Sequence, residues 1–167
     1  WHSKIGYVPQ SIYLIDDTIE ANIAFGDKCI DKVKLFKILQ EVQLSRFVCS
    51  LPEKEKTLVG ERGVTLSGGQ KQRISIARAL VRPTSVLIFD DCLSAVDNET
   101  EEKILSSINK ESTEKTTISI SHRMSSIQHA DKIIVLDNGK IAEMGTHTEL
   151  FEKSGIYYEM YQQQLSK

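Results

Sequence analysis

Val86-Leu87-Ile88-Phe89 is an unbroken apolar run of strand formers closed by two carboxylates, Asp90 and Asp91. A strand apolar on both faces has to be covered on both faces, as in a parallel sheet whose crossover connections are helices. Its terminal carboxylates then stand at the C-terminal edge, where open α/β sheets bind ligands. Other segments fit that frame. Residues 4–8 read as a short strand stopped by Pro9, which cannot donate to a ladder. Residues 116–120 read as a further strand of the buried type.

Helical spacing fills the intervals. Asp31 can cap a helix reaching about residue 44, with Leu35, Ile38, Leu39 and Val42 on one face. A second short helix fits residues 45–51, before Pro52, and residues 54–64 read as a charged loop with Gly60 and Gly63. Ser67 can cap a helix over 68–82, its buried stripe formed by Ile74, Ala77 and either Leu80 or Val81. Asp97 or Asn98 can cap the next, with Ile104, Leu105 and Ile108 facing the core and Glu99, Glu101 and Glu102 near its positive end. A short helical stretch fits 125–129. Asn138-Gly139 between two apolar runs predicts a hairpin, and the tail from 146 reads as helix broken near Gly155. The order of strand, helical insert, then alternating strand and helix predicts an α/β layer fold carrying a helical subdomain. The expected division is 1–10, 11–83 and 84–167.

Composition narrows the function. In 167 residues, 40% are hydrophobic and the formal net charge is -2, which argues against a nucleic-acid binder. No apolar run approaches the roughly 20 residues that cross a bilayer. Cys29, Cys49 and Cys92 are odd in number and far apart, so they read as reduced thiols and not as a disulfide framework. The chain opens on Trp1 and enters an apolar segment almost at once, so it is expected to be a piece of a longer protein.

Leu66-Ser67-Gly68-Gly69-Gln70 places a hydroxyl and two glycines at a helix start. Such a start leaves backbone N–H groups free and carries partial positive charge, which suits a phosphate; it equally suits simple capping. Asp90 after its strand can hold Mg²⁺ through water, or can be a turn aspartate. Gln10, after Val8-Pro9, is an exposed loop amide or a contact to metal or attacking water. His122, after the 116–120 strand, is a loop histidine or a hydrogen-bond donor to a phosphate. His2, His129 and His147 lack such placement and read as surface residues.

The run LSGGQ, continued by Lys71-Gln72-Arg73 and Ala77-Arg78-Ala79-Leu80, resembles the signature motif of ABC ATPases. The resemblance implies a partial P-loop NTPase (RecA-like) core with an inserted α-helical subdomain, and ATP and Mg²⁺ as cofactors. It implies two such domains packed head to tail, each signature capping the γ-phosphate of the ATP held by the other. Ser67, Gly68, Gly69 and Gln70 would then act in trans. The segment from Val86 to Asp91 is similar to a Walker B motif, with Asp90 on the metal. The family's second acid is Glu, which polarises the attacking water, and here it is Asp91. A carboxylate withdrawn by about 1 Å loses roughly a hundredfold in rate, so the Asp91 site is expected to be slow. That combination resembles one subunit of a heterodimeric exporter.

Ser94-Ala95-Val96-Asp97 resembles the D-loop that contacts the partner domain, although Asp97 is equally a helix N-cap. Ile5 to Gln10, with Thr18 to Ile23 after it, is similar to the exporter Q-loop region, and His122 to the switch histidine. Residues 57–63 resemble the loop that touches the transmembrane partner. The resemblance covers essentially the whole chain. It implies a place at the cytoplasmic face of a membrane, attached to a transmembrane domain. No GxxxxGK[ST] occurs, so the phosphate cradle and its lysine are expected upstream of Trp1, and the chain alone is expected to bind ATP poorly. Two other readings are a non-transport ABC ATPase, and a non-catalytic module lending its signature face to a partner's site.

Overall fold

In a computed structural model, residues 4–26, 30–60, 64–111 and 115–165 are described. They form two compact units, 1–120 and 121–167. The first is built on a three-stranded parallel sheet of β1 (Ile5–Val8), β4 (Val86–Asp90) and β5 (Thr116–Ile120), with β4 central. Val8 lies opposite Phe89, and Asp90 opposite Ile120, so the C-termini of the three strands share one edge. Leu87 and Phe89 are buried, whereas Val86 and Ile88 are half-buried. The expectation for β5 is corrected: it is an edge strand exposed throughout, with Ile118 at 48% and Ile120 at 53%.

Between β1 and β4 runs the helical part. β2 (Asp17–Thr18) leads into α1 (Ile19–Ala24), then α2 (Lys32–Glu41), α3 (Ser45–Ser50), a turn of 3₁₀ helix at Lys54–Lys56, and β3 (Leu58–Val59). The stretch expected as loop from residue 54 therefore holds a helical turn and a strand. Two-residue strands carry no periodic signal; β3 exists because it pairs antiparallel with β2. Asp31 caps α2 by accepting from the Lys34 N–H, and Leu35, Ile38, Leu39 and Val42 are all buried.

The helix α4 (Gly68–Leu80) departs from the single stripe that spacing predicts. Gln72, Ile74, Ser75, Ile76, Ala77 and Ala79 are all buried, because α1 packs on one part of it and β1 on another. Gly6 permits the second contact. A Cβ there would lie 2.8 Å from Leu87 Cδ2 and 3.0 Å from the Ala79 carbonyl. After β4, α5 (Asn98–Glu111) buries Ile104 and Ile108, and also the Glu101 side chain at 1% exposure.

The second unit holds α6 (Met124–Ile127), the hairpin of β6 (Ile133–Asp137) and β7 (Lys140–Gly145), α7 (His147–Glu152) and α8 (Ile156–Leu165). Asn138 and Gly139 both have positive φ, 47° and 74°, as a two-residue I′ turn requires. Met124, Ile133, Val135, Leu150 and Tyr157 form its core. His147, expected at the surface, is half-buried. Its Nδ1 shares a 2.8 Å hydrogen bond with the Tyr157 hydroxyl, and its ring packs on Phe151 and Tyr161. No described helix is long and apolar enough to cross a membrane.

Asn22 secures the chain that leaves β1. Fully buried, it accepts from the Ile15 N–H at 2.9 Å and donates to the carbonyls of Ile15 and Thr18 at 3.0 and 3.1 Å. Asn22→Ala leaves these groups without partners and should cost about 2 kcal/mol, whereas Thr18→Ala removes one cap and should cost about 1. Urea denaturation midpoints of the two variants check the ranking.

Candidate functional site

The α4 tip is a capping box. The Ser67 hydroxyl oxygen accepts from the Gln70 N–H at 3.2 Å, and Gln70 Oε1 accepts from the Ser67 N–H at 2.8 Å. Capping is thus realised, and it leaves room for a ligand. Ser67 Oγ uses a lone pair here, so its proton can still be donated to an anion. Ser67 and Gly68 are exposed, and Gly69 and Gln70 half-buried. The N–H groups of Gly68 and Gly69 belong to the helix start that lacks intrahelical acceptors.

Both glycines face the turn after β4. A Cβ on Gly69 would lie 2.7 Å from the Ala95 carbonyl oxygen, and one on Gly68 3.4 Å from the Ala95 Cβ. Gly69 is required by that approach. Spacing gave no hint of what joins the turn to the helix. Gln72 is 6% exposed; its Nε2 donates to Ser94 Oγ at 3.2 Å, and its Oε1 accepts from the Ala95 N–H at 2.9 Å. Ser94 Oγ donates in turn to the Asp91 carbonyl at 3.1 Å.

Asp90 and Asp91 emerge half-buried at the sheet edge. Asp91 has φ +44°, a left-handed conformation that Asp adopts more readily than most residues, and its N–H donates to the Ile120 carbonyl at 2.8 Å. Tyr7, absent from the sequence-based set, donates its hydroxyl to Asp90 Oδ2 at 3.2 Å. That hydrogen bond and the Asp90 charge hold the Tyr7 phenol above its usual pKa. Register could have found it, since Tyr7 lies opposite Ile88 and leans along the strand towards the same edge. Gln10, exposed, follows β1 out of this edge.

Mg²⁺ fits these residues as oxygen donors of the right hardness. No group of three or more possible His, Cys, Asp or Glu ligands converges among the described residues, so one or two carboxylates would hold the ion, with water and phosphate completing its shell. Asp97 caps α5, accepting from the Thr100 N–H at 2.9 Å, and that bond is the main reason its carboxyl is held below the usual range. His122 belongs to the second unit. It is exposed, and its carbonyl accepts from the Gln164 side-chain amide. Of the 57–63 segment, Glu61, Arg62 and Gly63 lie outside the described residues, as do Cys29 and His2.

A family model described as ABC transporter matches residues 1–94. A probable multidrug resistance ABC transporter ATP-binding/permease protein of Bacillus subtilis is 46% identical over 160 residues, 96% of this chain and 27% of that protein. An ATM1-type heavy metal exporter of Novosphingobium aromaticivorans is 42% identical over 165 residues, 99% of this chain and 27% of that one. Among solved structures, a bacterial Atm1-family ABC exporter with ATP bound superposes with a TM-score of 0.93 at 42% identity, over 99% of this chain and 29% of that chain. The chain thus spans little more than a quarter of the length of these relatives.

Cys92 adjoins the carboxylates. Burial, with the charges of Asp91, Asp90 and Glu101, pushes its thiol up to about 12. Only the thiolate is nucleophilic. Iodoacetamide at mildly alkaline pH should therefore label exposed Cys49 and spare Cys92 in the folded chain, and label both in urea, as read by peptide mass spectrometry.

Proposed function

The chain belongs to the ABC transporter family, and from that premise we propose that it is part of the ATP-binding and ATP-hydrolysing domain of an exporter, coupled to movement of a substrate across a membrane. The observation that carries this reading is the pairing, within one compact unit, of an exposed Ser67–Gly68 helix start with a carboxylate-ended central strand. The helix start can bind phosphate directly, through N–H groups and a hydroxyl. The carboxylates repel phosphate and need a metal between. The two devices serve different nucleotides: Asp90, with Mg²⁺, this domain's own ATP, and Ser67 to Gln70 the ATP of a second domain. Gln10 contacts metal or water, His122 the γ-phosphate, and Asp97 the partner domain.

The exporter assignment is supported by the relatives' descriptions, which include an ATP-dependent lipid A-core flippase of Saccharophagus degradans, 43% identical over 162 residues. Its partners would be a second ABC ATPase domain, in a homodimer or a heterodimer, and a transmembrane domain at the cytoplasmic face of a membrane. β3 and β2 support a transmembrane contact. Their pairing puts Leu58 and Val59, from the loop similar to the exporter loop, beside Thr18 and Asp17 of the Q-loop region. The 167-residue sequence holds no P-loop lysine. Alone it should therefore bind ATP weakly and not hydrolyse it, and calorimetric titration that found tight binding would overturn this.

Asp91 sets the rate at this domain's own site. In the whole protein, Asp91→Glu extends the carboxylate towards the water and should raise turnover at that site, by up to about a hundredfold. Phosphate release, measured with the partner's site disabled, checks it; unchanged turnover would refute a slow Asp91 site.

A further inference from the structure

We propose that Gln72 is a positioning residue that locks the α4 tip to the main chain of Asp91, so that the two ATP sites of a dimer respond as one. The inference rests on the functional reading above, in which that tip caps the partner's nucleotide and Asp91 serves this domain's own.

An amide buried on a helix has to find partners, and Gln72 finds both across the fold. Its two bonds reach residues 22 and 23 positions away, at 3.2 and 2.9 Å, and both end on one turn. The hydroxyl it holds, Ser94 Oγ, bonds the Asp91 carbonyl at 3.1 Å. The linkage from α4 to Asp91 is therefore two hydrogen bonds long and runs through two side chains, Gln72 and Ser94. Contact leaves no slack beside it. The Ala95 carbonyl approaches Gly69 so closely that even a methyl group would meet it at 2.7 Å. From another direction Arg73 holds the same tip, its Nε donating to the Gly69 carbonyl at 3.1 Å and its Nη1 to the Gln43 carbonyl at 2.7 Å.

A tip drawn towards a partner's phosphate thus carries the Ser94–Ala95 turn, and the turn carries Asp91. Asp91 adopts a left-handed backbone and donates its N–H to β5. Its carboxylate direction is set by that backbone, so a small main-chain shift re-aims it. Misplacement by about 1 Å can change a rate roughly a hundredfold. Coupling of this kind is reciprocal for binding: filling either site favours the arrangement that suits the other.

The test uses the whole protein. Gln72→Met keeps length and apolar packing and removes both hydrogen bonds; Ser94→Ala cuts the next link. In Gln72→Met the groups left without partners are on exposed Ser94 and Ala95, where water can replace the amide, so the melting temperature should change little; Ser94→Ala leaves the buried Gln72 Nε2 without its partner and should lower it by a few degrees. ATPase is measured against ATP concentration. Each variant should lower kcat about tenfold and bring the Hill coefficient towards one, with half-saturation little changed, and the double variant should be no worse than either. Wild-type kcat and cooperativity in Gln72→Met would overturn the proposal, as would losses that multiply in the double variant or a wild type that hydrolyses ATP without cooperativity. A wild type with no ATPase at all would instead overturn the functional reading. If Gln72→Met fails to fold, Ser94→Ala at its exposed position carries the same outcomes.

Discussion

A helix buried on more than one side can keep a polar side chain only where a partner is fixed in advance, and α4 is such a helix. Its apolar positions, Ile74, Ile76 and Ala77, are wholly covered. Three of its polar positions each reach a different part of the first unit. Arg78 donates to the Tyr13 and Asn22 carbonyls at 3.1 and 2.9 Å and lies over the Phe25 ring at 4.3 Å. Arg73 reaches the turn after α2, and Gln72 the turn after β4. Removing water from guanidinium and amide groups is costly unless their bonds are made, so each contact specifies one position of its target as well as stabilising it. Through α4, the chain that leaves β1, the helical insert and the carboxylate edge are referred to a single element.

That arrangement explains where the glycines fall. Gly6 and Gly69 sit where backbone meets α4 or where α4 meets backbone: a methyl group on Gly6 would come 3.0 Å from the Ala79 carbonyl oxygen, and one on Gly69 2.7 Å from that of Ala95. Gly69 therefore answers to packing, whatever ligand the α4 tip takes. An account of the LSGGQ sequence that considers only a ligand omits half of what its second glycine is for.

Much of this was legible in the sequence and some was not, for physical reasons. β4, α2 and the Asn138-Gly139 hairpin announce themselves because local periodicity and turn chemistry act over a few residues. So does the Ser67 cap. The bonds of Arg78 to Asn22 and Tyr13 span 56 and 65 positions, and no local pattern encodes their distant ends. β2 and β3 are two residues each and are defined by pairing across about 40 positions of chain. The exposure of β5 was missed because a run such as Thr116 to Ile120 records strand propensity and not coverage. His147 was missed because its partners, Tyr157 and Tyr161, lie on another helix.

The surroundings of the carboxylates complete the argument. In the proposed reading Asp90 and Asp91 would hold a divalent cation, and further negative charge beside them would distort which oxygen the ion takes. Two neighbours could supply that charge, the Cys92 thiol and the Tyr7 phenol. Burial holds the thiol protonated up to about 12, and the bond to Asp90 keeps the phenol protonated above its ordinary range. Tyr7 then acts as a donor to Asp90 Oδ2, and Oδ1 is the oxygen that would accept from the hydration shell of a bound ion. Neither neighbour therefore adds negative charge to the edge that Asp90 and Asp91 form.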